Sequence, residues 1–431
     1  MSKKDELGVG LLGLGVVGGG VAEVLSQKAD LFARQAGCVP LLRHVLVRDP
    51  AKRRSAEVPA SLLTTDPRAI LDDPDVRLVI EVMGGENPAV DYIREALQKG
   101  KAVVTANKEV MAKHGPELLA LADKRGVDLL FEASVGGGIP LIAPFQRDLI
   151  ANRVTAVHAI INGTTNYILT RMAVEGLEFG AALRQAQDLG YAEPDPDNDI
   201  SGRDAAYKIA ILASLAFRAV VHASDVHYEG IGRLAPRDFR YARELGYTIK
   251  LLAIAKEEDG VVHARVHPAF VPDHWLLAKV DGVFNAVQVD GDLVGRLLFY
   301  GQGAGARPTT SAILANVMEA ARNITEGRRN ARLRLDARKS IKPFDAIETG
   351  YYLRIWVPDR PGILAQIARV LGDRQISIAS VIQKEADPSN QSAELVIMTH
   401  TAREADMQGA LCELERHSAV TQVGNFVRVE A

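Results

Sequence analysis

The run GVGLLGLGVVGGG at residues 8–20 decides how the first third of the chain is read. Gly8 to Leu12 is apolar enough for a strand buried on both faces. The glycines that follow break it, and an amphipathic helix is expected from there toward Ala36. Gly13, Gly15 and Gly18 form GxGxxG between strand and helix, the context that gives this motif meaning. The first two glycines let the backbone turn and approach a pyrophosphate at the helix N-terminus, and the third lets helix and strand pack closely. A glycine-rich turn with no ligand is the competing reading. Further buried strands are expected at His44–Val47, Leu78–Val82, Ala102–Thr105 and Asp128–Phe131. Strands and helices alternating at this spacing give a doubly wound α/β segment with a parallel sheet.

The second strand ends in Arg48 followed by Asp49. An NAD site wants an acidic residue at this strand end for the ribose 2′-hydroxyl, whereas arginine favours a 2′-phosphate. With Arg53 and Arg54 nearby, the balance tips to NADP(H). Asp49 keeps NAD(H) open, and a solvated basic turn is the alternative. Lys108 follows the strand Ala102–Thr105 at its carboxyl end, where open α/β sheets bind ligands. Lysine is disfavoured beside the positive pole of a helix, so its place there points to function rather than to a surface role.

The chain has 431 residues, of which 47% are apolar and 24% charged, so two or three soluble globular domains are expected. A formal net charge of −3 gives no general pull toward nucleic acid or anionic membrane. Cys38 and Cys412 lie far apart with no CxxC, which fits a reducing cytoplasm rather than a disulfide framework. Lys3 and Lys4 precede an apolar run, but the seven glycines between Gly8 and Gly20 make a poor signal-peptide helix. No later stretch is apolar for long enough to span a bilayer.

GYAEPDPDNDISGRDAAYK, residues 190–208, carries most of the chemistry. Pro194 and Pro196 forbid a helix through its acidic part, so Glu193, Asp195, Asp197 and Asp199 are expected on an extended loop. From Ser201 the pattern turns helical, and Asp204 and Lys208 at i and i+4 share one face. They are the only charges between Asp204 and Phe217, so the helix is expected to be buried. A lysine in a partly dry site titrates closer to neutrality and serves as a general acid. Lys208 therefore reads as proton donor to a carbonyl, with Asp204 orienting it. A solvated surface ion pair is the bland alternative.

Elsewhere the middle segment is less specific. Gly136 to Gly138 mark backbone that approaches something closely, and their carbonyls with Glu132 could hold a hard cation, although loop geometry explains them equally well. Asn162 to Thr165 form a helix-start turn, which is ordinary capping unless a carboxylate binds its amides. HARVH and the later His274 invite a metal reading, but His263 and His267 stand about 13 Å apart on a strand and cannot share one ion. GQGAGARPTT, from Gly301, is a second glycine turn before a long apolar helix, and residues 322–349 read as a partly ordered linker. Residues 350–431 follow a βαββαβ rhythm, a ferredoxin-like arrangement. With no acid–base pair, that module reads as ligand-sensing or dimerising, or as a simple cap.

GLGVVGGG, EVMGG, TANK, EASVGGGIP, NGTTNYIL, GYAEPDPDNDISGRDAAYK and GQGAGARPT occur in this order, and together the chain resembles the monofunctional homoserine dehydrogenases over essentially its whole length. VPDRPGIL at 357–364 makes the last eighty residues similar to an ACT domain, the amino-acid-binding regulatory module. The resemblance implies a Rossmann-type cofactor domain at 1–135, with a helix at 303–322 packing back on it. It further implies an α+β catalytic and dimerisation domain at 136–302, a linker at 323–349 and the ACT domain at 350–431. The implied reaction is reversible NAD(P)H-dependent reduction of L-aspartate 4-semialdehyde to L-homoserine, on the route to threonine, methionine and isoleucine. Carried over by position, Gly13, Leu14, Gly15, Val16, Val17, Gly18, Arg48, Thr105 and Gly303 would form the cofactor site, with Lys108 between cofactor and substrate. Glu193, Asp199, Gly163, Thr164 and Tyr191 would hold the amino acid. A sodium ion would fall on Glu132 and the carbonyls of Val135, Gly137 and Ile139. Dimers or dimers of dimers, and L-threonine as effector, are likewise implied. Competing readings are a hydroxyacid dehydrogenase of serine biosynthesis, whose substrate domain would normally come first, and a sensor that binds nicotinamide and amino acid without turnover.

Overall fold

The structure, a computed structural model, describes residues 6–54, 57–387 and 391–430, so Lys3 and Lys4 lie outside the described residues. It divides into two compact units. The first comprises Met1–Val157, Tyr207–Asp225 and Asn285–Lys339, and the second His158–Ala206, Val226–Phe284 and Ser340–Ala431.

In the first unit, β1 (Glu6–Leu12), β2 (Val39–Leu46), β3 (Leu63–Thr64), β4 (Val76–Glu81), β5 (Ala102–Thr105) and β6 (Leu129–Leu130) make one sheet in the order β3-β2-β1-β4-β5-β6. Every pairing in it is parallel. Val9, Leu11, Leu78 and Ile80 are fully buried, as strands covered by helices on both faces require. The connecting helices are α1 (Val16–Gln27), α2 (Ala29–Ala36), α3 (Arg68–Leu71), α4 (Ala89–Gln98) and α5 (Lys108–Arg125). The single helix expected as far as Ala36 is two. Lys28 leaves the helical region at φ −112° and ψ 25°, which re-aims α2 so that Phe32 and Ala36 reach the core. β2 begins at Val39, earlier than expected, and Val82 falls just beyond β4.

Strand β7 (Val154–Ile160) and helix α9 (Arg203–Phe217) each contribute residues to both units. Helices α6 (Gly163–Glu175), α7 (Phe179–Asp188) and α8 (Asp197–Ile200) belong to the second unit, as do β8 (His227–Tyr228) and α10 (Pro236–Glu244). The acidic stretch is therefore not wholly extended. Proline tolerates the first turn of a helix, and one helical turn starts directly after Pro196. β11 (Phe284–Gly291) and β12 (Gly295–Gln302) lie side by side in sequence and sheet. They lead to α11 (Ala306–Glu326), whose Ala312, Ile313, Val317 and Ala321 join Val21, Leu25 and Phe32 in one core. The stretch expected as linker is partly tied down, since Asp336 bridges to Ala219 and Ile341 to Val262.

The second unit pairs β9 (Tyr247–Glu258) with β10 (Val261–Pro272) over twelve residues each. The C-terminal module follows as β13 (Glu348–Pro358), α12 (Ile363–Asp373), β14 (Ile378–Asp387), β15 (Ser392–Thr399), the short β16 (Ala402–Arg403), α13 (Glu404–Leu414) and β17 (Gln422–Val429). Its strand order is β17-β13-β15-β14, and β10 adds to it through a parallel pairing with β17. The expected βαββαβ module is present with ferredoxin-like strand order, but it is not a detachable appendage. Arg354 of β13 is buried and donates to Asp238 of α10 at 2.7 Å. Tyr352 and Asn425 donate to the same carboxylate.

HARVH lies on β10 with Arg265 between its two histidines, donating to Nδ1 of His263 at 2.9 Å and Nε2 of His267 at 3.1 Å. Burial first, then Arg265 beside His263 and Arg428 followed by Arg265 beside His267, push both imidazoles down to about 3. Both are therefore neutral when folded, while the unfolded chain protonates them below the ordinary 6.5. The stabilisation is present above pH 6.5 and lost as pH falls toward 3. Each histidine steepens that loss by up to about 1.4 kcal/mol per pH unit. His267→Gln, which keeps an acceptor for Arg265, is expected to flatten the fall of unfolding temperature between pH 7 and 5. An unchanged slope would show that His267 takes no part in it.

Candidate functional site

The first unit contains a nucleotide cradle. Gly13 closes β1 at φ +103°, and its amide donates to the Leu46 carbonyl of β2 at 3.1 Å. A Cβ on Gly18 would collide with the Gly13 carbonyl oxygen, so the α1–β1 approach depends on glycine there. Above Gly15 there is open space, with nothing within 4 Å of where a Cβ would stand. Gly15 caps α1 without a side-chain hydrogen bond, and Val16 is 75% exposed. Uncapped amides, a positive helix pole and room for close approach are what a pyrophosphate needs. Leu14 and Val17 are half-buried beside this turn. Arg48 is exposed directly beyond β2, and the neighbouring Asp49 uses its carboxylate to accept from the Ala51 amide at 2.8 Å.

Beside the cradle, three residues fix the end of β5. Glu81, wholly buried at the end of β4, accepts from the Thr105 hydroxyl at 2.6 Å and from the Met83 amide at 2.8 Å. Burial raises its pKa, against the pull of these hydrogen bonds. Thr105 in turn accepts from the Asn107 amide, and Asn107 caps α5 by accepting from Val110 and donating to the Gly85 carbonyl. The result is a rigid strand-to-helix turn that presents half-buried Lys108 as the first residue of α5. Thr105 thus contributes rigidity, and sequence reading missed Glu81 and Asn107 as its partners.

Glu132 lies deeper. Its carboxylate accepts from the amides of Leu141, Ile142 and Ala143 at 2.5, 2.8 and 2.8 Å, which holds the 136–143 loop closed. Gly303 sits against this loop, since a Cβ on Gly137 would meet its carbonyl oxygen at 2.5 Å. These three hydrogen bonds leave the carboxylate a further acceptor position, so Glu132 together with the carbonyls of Val135, Gly137 and Ile139 is the set that could hold a cation here.

In the second unit two of the acidic residues, Asp199 and Asp204, meet at Asn162, while Glu193, Asp195 and Asp197 stay exposed. The Asn162 side-chain oxygen accepts from the Thr165 amide at 2.9 Å, the expected cap of α6. Its amide nitrogen donates to Asp199 at 2.7 Å and to Asp204 at 2.9 Å. These two carboxylates are brought together by a residue 37 and 42 positions away, a link no local spacing could reveal. The Thr164 hydroxyl donates to the Tyr191 carbonyl at 2.6 Å, which ties the acidic loop to the start of α6. The exposed Tyr191 ring lies 5.0 Å from that of Tyr167. Glu193 is exposed and Asp199 half-buried. Asp204 is 2% and Lys208 9% exposed, so the bland reading of a solvated surface pair does not hold.

A parallel sheet ending in an uncapped glycine turn and a buried carboxylate and lysine one helical turn apart are those of a dinucleotide-binding oxidoreductase, here with a ferredoxin-like C-terminal module. Three family models match: homoserine dehydrogenase over residues 140–318, its NAD binding domain over 13–132, and the ACT domain over 351–418. The homoserine dehydrogenase of Synechocystis is 42% identical over 438 residues, covering 98% of this chain and 99% of its own. That of Bacillus subtilis is 40% identical over 423 residues, covering 98% of each chain. The crystal structure of a homoserine dehydrogenase from Thiobacillus denitrificans superposes with a TM-score of 0.92 at 41% identity, over 99% of this chain and 98% of its own. The chain belongs to the homoserine dehydrogenase family.

The cradle geometry separates two glycines. Gly15→Ala is expected to leave the unfolding temperature unchanged and raise the nucleotide KM at least about tenfold, roughly 1.4 kcal/mol, because the added methyl meets no protein atom but stands where phosphate must approach. Gly18→Ala is expected to lower the unfolding temperature as well. Equal nucleotide affinity of Gly15→Ala and wild type in steady-state kinetics would place the pyrophosphate elsewhere.

Proposed function

We propose that the chain catalyses the reversible NAD(P)H-dependent reduction of L-aspartate 4-semialdehyde to L-homoserine, on the route to threonine, methionine and isoleucine. The observation that carries this reading is the buried pair Asp204 and Lys208 with Asn162 holding Asp204 to Asp199. A reduced nicotinamide bound at the cradle supplies the hydride. Gly13 to Gly18, Thr105, Lys108 and Gly303 would line its site, and exposed Arg48 beside an already engaged Asp49 favours NADP(H) over NAD(H).

The chain's own residues account for the rest. Glu193 and Asp199 offer negative charge to the α-ammonium of the substrate, and the amides of Gly163 and Thr164 at the start of α6 suit its carboxylate. Tyr191 covers the same loop. Lys208 donates a proton to the carbonyl oxygen as negative charge develops there, and Asp204 holds the lysine and the substrate in place. Lys108 adds a second cation to the proton relay. A sodium ion on Glu132 and the carbonyls of Val135, Gly137 and Ile139 would stiffen the 136–143 loop. The C-terminal ACT module is read as the site of L-threonine feedback, in a cytoplasmic enzyme acting as a homodimer or dimer of dimers. No helix among the described residues is long and apolar enough to cross a membrane.

Two measurements test this. Lys208→Ala is expected to cost at least about 10³-fold in kcat while the nucleotide dissociation constant stays within about twofold of wild type; a retained rate would remove Lys208 from the proton transfer. L-Threonine titrated into the full-length enzyme is expected to inhibit homoserine oxidation. Insensitivity at saturating threonine would assign the C-terminal module a different effector or a structural role.

A further inference from the structure

The last strand of the chain carries an arginine that no part of the proposed mechanism uses. Arg428 of β17 is 1% exposed and donates two parallel hydrogen bonds to Glu229, at 2.9 and 2.8 Å. On its other side it donates to Glu404, which also accepts from the Tyr351 hydroxyl at 2.9 Å. The guanidinium lies over the rings of Phe344 and Phe426, 4.7 and 5.0 Å from their centroids. A planar, bidentate, ring-stacked arginine has one geometry, so it fixes whatever it holds. Burial works against ionisation of Glu229, but hydrogen bonds from His227 and Arg428 outweigh it and hold the carboxyl far below its usual range.

What Glu229 holds is the substrate turn. Its amide donates to the Val266 carbonyl of β10 at 2.8 Å, and the next residue, Gly230, packs directly on the backbone of Ile200 and Ser201. A Cβ on Gly230 would collide with the Ile200 carbonyl oxygen. The Ile231 amide donates to that same oxygen at 3.0 Å. Gly202 then turns at φ +88° against the Glu229 carbonyl, and its own carbonyl accepts from the Ala206 amide to open α9. Ile200 to Gly202 is thus the clamped backbone that spaces Asp199 from Asp204, the two carboxylates on Asn162.

We propose that the Arg428–Glu229 ion pair is a positioning device for substrate binding: it fixes Gly230 and Ile231, which set the separation of Asp199 and Asp204, and so links the C-terminal module to the amino-acid site. The proposal rests on the reading of Asp199 and Asp204 as substrate and catalytic groups, and all its elements lie within the second unit.

The test uses full-length Glu229→Gln, with exposed Arg369→Gln of α12 as control, and reads both steady-state kinetics and hydrogen exchange of the 200–206 backbone. In Glu229→Gln, exchange of the Gly202 and Ala206 amides is expected to rise at least about tenfold. KM for L-homoserine is expected to rise about tenfold, with kcat and the nucleotide KM within about twofold of wild type. Arg369→Gln is expected to change neither. Unchanged exchange in folded Glu229→Gln overturns the proposal whatever happens to KM. If wild type itself turns over no homoserine, the catalytic reading fails, and exchange still decides whether the ion pair holds the turn. Should Glu229→Gln unfold, Glu229→Asp, which keeps the charge but shortens the reach, is read by the same exchange measurement with the same two outcomes.

Discussion

Charge taken out of water must be met by partners in place, and most of this chain's function follows from how that requirement is satisfied around Asp204. Asp204 is 2% exposed on the first turn of a helix whose later residues are almost all apolar. Asn162 supplies one donor to it, and the same side chain caps α6 and reaches Asp199. A single buried amide thereby joins a helix start, an acidic turn and the helix that carries Lys208. Lys250 shows what a buried lysine looks like without that setting. It is 1% exposed, donates to the Val280 carbonyl and to Asp281, and has its pKa lowered by burial. Its partners are a backbone carbonyl, an exposed carboxylate and the Asn166 side chain, so burial alone does not distinguish Lys208. What marks Lys208 is the cluster of carboxylates that its helix begins in.

The same rule shapes the C-terminal half. Arg354 meets Asp238 and Glu394, Arg428 meets Glu229 and Glu404, and Arg265 meets Glu430, each pair almost entirely enclosed except for Glu229. Breaking one partner of such a set strands the other in a dry interior, which costs more than the pair contributes net. These sets therefore specify one arrangement of β13, β15 and β17 on α10, β8 and β10.

Much of this was legible in the sequence, for identifiable reasons. The glycine turn at 13–18 and the strand Ala102–Thr105 followed from periodicity and glycine placement, because both depend on local backbone constraints. So did the βαββαβ order of the last eighty residues. The burial of Asp204 and Lys208 followed from the apolar faces around them. Long-range partners were not legible. Glu81 and Asn107 gave no signal, and Asn162 read as part of a helix-start turn with no hint that it reaches Asp199 and Asp204. Arg428 and Glu229 gave no signal, since 199 residues separate them. The break at Lys28 and the helical turn after Pro196 were misjudged because tertiary packing, rather than local preference, sets where those segments bend.

The central claim is that Lys208 delivers the proton, and the most direct measurement is a crystal structure of the full chain with L-homoserine and oxidised nicotinamide bound together. The account predicts the Lys208 ammonium within about 2.6–3.2 Å of the substrate hydroxyl oxygen, with Asp204 and Asn162 still paired. A hydroxyl held instead by another acid, with Lys208 facing away from it, would contradict the account.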